Sequence, residues 1–129
     1  MTTVDYETLT AKEPYKPLTS KLLEKAGRNN QGRITMRHQG SGNKRLYRLV
    51  DFKQNKISVP GRVESLEYDP YRTAFIALVV YKDGERRYVL AQKELTVGQE
   101  IITEPQAALK IGNRLMLKNI PIGYLVSNV

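Results

Sequence analysis

TAFIALVVYKDGERRYVLA, residues 73–91, runs from a nearly continuous apolar stretch through a Lys-Asp-Gly-Glu turn into a second apolar stretch. A short apolar run bounded by turn residues predicts a strand buried on both faces, so residues 73–81 should be the central strand of a sheet. Asp83-Gly84 is a hairpin signal, because a tight turn needs residues that tolerate positive φ. The chain should therefore return as an antiparallel neighbour through RRYVLA.

Working outward, SVPGRVESLEY (residues 58–68) supplies Val63, Leu66 and Tyr68 to another strand, with Pro60-Gly61 breaking its start. RLYRLVDF (45–52) has no clean face, which fits a strand packed on one side and engaged with something polar on the other. RITMRH (33–38), EIITE (100–104), RLMLKNI (114–120) and GYLVSNV (123–129) read as further short strands. EPQAALKIGN (104–113) reads as a turn or one helical turn. TSKLLEKAG (19–27) reads as a short helix capped by Thr19 or Ser20 and stopped by Gly27.

Short strands at this spacing predict a mainly β chain. The expected architecture is a small five-stranded Greek-key barrel of the OB type over residues 57–129, preceded by an extended basic N-terminal arm over residues 1–56. Cysteine is absent, which removes disulfides, thiolate metal sites and a cysteine nucleophile. No apolar run is long enough to cross a membrane as a helix.

The net charge of +8 is concentrated in one place. Eight bases (Arg28, Arg33, Arg37, Lys44, Arg45, Arg48, Lys53, Lys56) face Asp51 alone between residues 28 and 56, a net of +7. Before this segment four bases balance four acids, and after it nine bases face eight acids. Such a local field attracts a polyanion. A membrane surface would want an amphipathic basic helix, and this segment has neither helical period nor apolar face. The loop GSGNK (40–44) lacks the spacing of a nucleotide P-loop, but its glycines leave room for a phosphate backbone between Arg37 and Lys44-Arg45. Tyrosines stand beside arginines at Tyr47-Arg48, Tyr71-Arg72 and Arg87-Tyr88, a pairing suited to phosphates and unstacked bases. RNA is preferred over duplex DNA, since irregular Gly-Arg segments suit shaped, partly single-stranded targets.

Catalytic residues are scarce. His38 is the sole imidazole, and neither a metal set nor a nucleophile–base pair is recognisable around it. Glu64, Glu67 and Asp69 read as solvent-exposed acids balancing Arg62 and Arg72. The expectation is a non-enzymatic RNA binder without cofactor or metal; the alternative is a free-standing OB-type protein that binds single-stranded nucleic acid.

GRNNQGRITMRHQGSGNKRLYRLVDFKQNK (27–56), VESLEYDPYRTAFIALVVYKDGERRYVLA (63–91) and LKNIPIG (117–123) together resemble bacterial-type large-subunit ribosomal protein two, over residues 27–129. The resemblance implies an OB-type barrel followed by an SH3-like barrel on 23S-type rRNA, with basic extensions between RNA helices. It implies roles in assembly, subunit association and support of the RNA peptidyl transferase centre. By position, Arg28, Arg33, Arg37, His38, Lys44, Arg45 and Arg48 would form the rRNA-contacting extension. Arg72 in EYDPYR matches an arginine that the family uses on rRNA, and Lys53 and Arg87 are further candidates. Implied partners are rRNA, neighbouring ribosomal proteins and a separate chain carrying the SH3-like half, which is expected to be absent here. The expected location is the ribosome, in the cytoplasm or an organelle. Gly40-Ser41-Gly42-Asn43-Lys44 departs from the family's usual Gly-Gly-Gly-His-Lys, and Val126-Ser127-Asn128 from Val-His-Asn.

Overall fold

The computed structural model describes residues 3–129; Met1 and Thr2, at the head of the expected arm, lie outside the described residues. Among the described residues six strands occur in chain order: β1 (Thr19–Ser20), β2 (Tyr47–Arg48), β3 (Gly61–Glu67), β4 (Ile76–Tyr81), β5 (Arg86–Leu90) and β6 (Glu100–Ile101). The last four form an antiparallel sheet in the order β5-β4-β3-β6, and β1 pairs with β2 as a separate ribbon.

β4 is the inner strand that its apolar run predicts. Its alternate residues Ala77, Val79 and Tyr81 join Val63, Leu66, Val89, Leu95 and Ile101 in the principal core. Ile76 and Leu78 face the other way and pack with Tyr88 beneath Tyr15, Leu18 and Val50. A strand covered on both faces has no polar face to show, which explains the unbroken run. The second cover comes from the N-terminal segment, not from another sheet.

Asp83-Gly84 forms the hairpin as expected. Gly84 adopts φ +85, its N–H donates to Tyr81 O at 2.8 Å, and Tyr81 N–H donates to Glu85 O at 2.9 Å. This is a turn closed through a left-handed glycine. In β3 the register shifts between Val63 and Ser65, leaving Glu64 as an extra, exposed residue. A bulge bends its strand and increases local twist, which curls the sheet into a half-barrel. Bridges from Val50 to Tyr88 and from Ile57 to Thr103 extend it, giving a small, mainly β, OB-type barrel. Thr10 lies across the open edge of β3, with its N–H on Leu66 O at 3.0 Å and its Oγ1 accepting Leu66 N–H at 2.9 Å. Edge strands left bare invite foreign strands, and this one is covered.

Several expected elements differ. Residues 19–27 form no helix: Leu23 is 88% exposed, so the narrow apolar face finds no cover, and Thr19–Ser20 pair with β2 instead. Residues 33–38 contribute only a bridge, Arg28 to Ile34. Beyond residue 113 a 3-10 turn, Leu117–Asn119, stands where a strand was expected, and residues 123–129 carry none. Ile122 and Leu125 are fully exposed there, and strand propensity without a pairing edge does not make a strand.

Candidate RNA interface

The β1–β2 ribbon, Thr19 opposite Arg48 and Ser20 opposite Tyr47, closes the base of a loop holding most of the net positive charge. Within it the chain turns tightly at Gly27, with φ +69 and a carbonyl that accepts Thr35 N–H at 2.8 Å and Met36 N–H at 3.1 Å. A Cβ there would approach Met36 O to 2.3 Å, so glycine is required. Asn29 Oδ1 caps the next turn, accepting the N–H groups of Gln31 and Arg33, both at 3.0 Å. Arg28 Nη1 donates to Gly32 O at 2.9 Å. Arg33, Arg37, His38 and Lys44 are exposed. Arg28, Arg37 and His38 line an open pocket of about 330 Å³ together with Ile34 and Met36. Gly40 and Gly42 have open space where a Cβ would go. That part of the loop is roomy, and no close approach within the chain demands its glycines.

Where the loop returns to the barrel, cations and rings form a continuous chain of contacts. The Arg45 guanidinium lies 4.4 Å from the Tyr71 ring centroid. Tyr71 meets Tyr47 edge-to-face at 5.6 Å. The Arg72 guanidinium stands 5.9 Å from the Tyr47 ring and 5.6 Å from the Phe52 ring. The sequence suggests pairs of neighbours, Tyr47 with Arg48 and Tyr71 with Arg72; the fold exchanges partners, giving Tyr71 to Arg45 and Tyr47 to Arg72. Each contact of this kind contributes about 0.5–2 kcal/mol and leaves guanidinium edges free to donate. Arg45 also pairs with Glu24 at 3.3 Å.

Asp69 organises the barrel side of this column. It is fully buried and opens an Asp-Pro turn in which its Oδ1 accepts Tyr71 N–H at 2.9 Å. Arg72 Nη1 stands 3.0 Å from Asp69 Oδ2 as an ion pair, off the line of a hydrogen bond. Asp69 therefore does balance Arg72, but from the interior. Glu67, also read as exposed, is buried and accepts the Ser65 hydroxyl at 2.8 Å and the Tyr88 hydroxyl at 2.7 Å. Tyr88 Oη in turn accepts Tyr15 N–H at 2.7 Å. Burial, then the neighbouring Glu67, pushes the Tyr88 phenol well above its ordinary value. Only Glu64 of the three acids is at the surface, paired with Arg86 at 2.9 Å. The bulge changes the alternation that sequence spacing alone would give.

The remaining candidates divide by environment. Lys53 is exposed. Arg48 turns inward, 8% exposed, with Nη1 donating to Leu46 O at 2.6 Å. Arg87 is bound by Glu85, Asp51 and Asn55, each at 2.7 Å, and its pKa is raised first by Glu85 and then by Asp51. Among the described residues no three His, Cys, Asp or Glu side chains gather as a metal set. Phe52 escapes the sequence reading, as nothing local marks it, and so does the burial of Asp69, although Asp-Pro is a turn signal there.

Cations arranged with aromatic faces on a small barrel suit a polyanion that carries planar bases. The family model described as Ribosomal Proteins L2, RNA binding N-terminal domain, matches residues 15–103. The chain belongs to the ribosomal protein L2 family. The match opens at Tyr15, the residue whose N–H docks on Tyr88, and takes in the charged loop, the ring column and all four sheet strands. Residues 104–129 lie beyond it. L2 is a family of structural RNA-binding proteins, so this chain is a ribosome-associated RNA-binding protein.

Proposed function

We propose that this chain positions large-subunit rRNA, and so supports subunit assembly, subunit association and the geometry of the RNA peptidyl transferase centre, without catalysing a reaction itself. The observation that carries this reading is Arg72. Its guanidinium lies within cation–π distance of both the Tyr47 and Phe52 rings and is paired with buried Asp69, so its position is restrained before RNA arrives. Residues 1–56 deliver charge, and residues 57–129 set the direction in which that charge enters the RNA. Arg28, Arg33, Arg37, His38, Lys44, Arg45 and Lys53 meet RNA from the loop side, and Arg72 meets it from the barrel. Arg48 and Arg87 offer RNA only the donors that their internal partners leave free.

Binding then follows from phosphate neutralisation and counterion release, with the barrel fixing register. Neighbouring ribosomal proteins, on a cytoplasmic or an organellar ribosome, complete the partner set. The test is a salt titration of binding to a large-subunit rRNA fragment, against an RNA of shuffled structure and against poly(U). Selective binding that weakens steeply with salt is expected. Equal affinity for all three RNAs would overturn the reading in favour of an unselective single-strand binder.

A further inference from the structure

We infer that Phe52 is a stacking face for one unpaired nucleobase of the bound RNA. This rests on the rRNA reading above and names a contact within it. Exposed apolar side chains are ordinary on protein surfaces, so exposure alone carries nothing. Phe52 differs in three ways.

The residue is 46% exposed, and a cation, the Arg72 guanidinium, lies 5.6 Å from its ring centroid. Its backbone is clamped. Phe52 O accepts Arg114 Nη1 at 2.9 Å. On the preceding residue, Asp51 N–H donates to Tyr88 O at 2.8 Å, and Asp51 Oδ1 accepts Gln54 N–H at 2.9 Å. An aromatic ring held on a fixed backbone loses little entropy when something stacks on it. Cations surround it: Arg72 near its ring, Arg114 on its carbonyl and exposed Lys53 next in sequence. An apolar planar group carried on a polyanion fits that combination, because the base meets the ring while its phosphates meet the cations.

The chain contains no tryptophan, so Phe52→Trp installs a single tryptophan at the proposed contact, excited selectively over the eight tyrosines. The probes are deproteinised large-subunit rRNA and long-chain inorganic polyphosphate, which carries the charge without the bases. Phe52→Trp should retain rRNA binding, with its emission quenched by rRNA and unchanged by polyphosphate. Phe52→Leu keeps apolar bulk against Arg72 but removes the π face, and its rRNA affinity should fall about 5- to 150-fold, the range for one lost base stack. Far-ultraviolet circular dichroism and urea midpoints confirm that both variants fold. Emission unmoved by saturating rRNA, equal quenching by polyphosphate, or a Phe52→Leu variant binding like the wild type would each overturn the stacking contact while leaving rRNA binding intact. Wild-type protein that fails to prefer rRNA over polyphosphate would remove the functional reading and this contact together.

Discussion

At Arg72 two kinds of restraint meet, nearby aromatic rings and a buried carboxylate beside one nitrogen. Arg72→Ala should weaken rRNA-fragment binding by about 1–3 kcal/mol at fixed salt, read by filter retention. Arg72→Lys should recover only part of that loss, because an ammonium lacks the planar fork and stacks less well. Asp69→Ala removes the acceptor for Tyr71 N–H and leaves Arg72 unpaired at a half-buried position. It should cost about 1–3 kcal/mol in urea unfolding as well as RNA affinity. Much of this corner is legible in EYDPYR: Asp-Pro predicts the turn, and the turn places tyrosine and arginine side by side. The exchange of partners with Arg45 and Tyr47 is not legible, since it depends on where a loop some 25 residues upstream returns to the barrel.

Among the elements, the central strand and its hairpin can be read from residues 73–91 because their determinants are local: an apolar run and a glycine at positive φ. The ribbon β1–β2 cannot. TSKLLEKAG has helix-forming residues, and only the pairing with Tyr47–Arg48 overrides them. Gly61 is a similar long-range case, because a Cβ there would approach Val79 Cγ1 to 2.6 Å. Gly61→Ala should destabilise the barrel by about 1–3 kcal/mol, visible as a lower urea midpoint with an unchanged m-value. Tyr88→Phe removes both the acceptor for Tyr15 N–H and a donor to Glu67. It should cost about 1–3 kcal/mol and speed hydrogen exchange at the Tyr15 amide beyond what global destabilisation explains.

For the whole molecule, charge acts in two directions. The concentrated positive loop could be counted from the sequence, but the ion network at the β4–β5 hairpin could not, since it needs the fold to bring Lys56 to Asp83 and Glu85. Lys56 lowers the Asp83 pKa, and Arg87 followed by Lys56 lowers that of Glu85. Groups with depressed folded-state pKa values stabilise the native state above their ordinary values, 3.8 and 4.5 here, and lose that contribution as pH falls through the lower folded values. Stability should therefore decline below about pH 4.5, and a combined Asp83→Asn, Glu85→Gln variant should show a shallower decline in urea midpoint over the same range.

The ribbon also makes the basic segment a closed loop, tied at Ser20 and at Tyr47 with residues 21–46 between the two ties. A tail pinned at one end would search a large volume and surrender that freedom on each encounter with RNA. A loop of this length gives up about 3 kcal/mol of closure entropy when the protein folds, before any RNA is present. One backbone cut between Gly42 and Asn43 would remove no cation and no ring. It would nonetheless turn the loop into two loose ends, and the affinity lost by that nicked protein would measure how much of its recognition resides in chain connectivity alone.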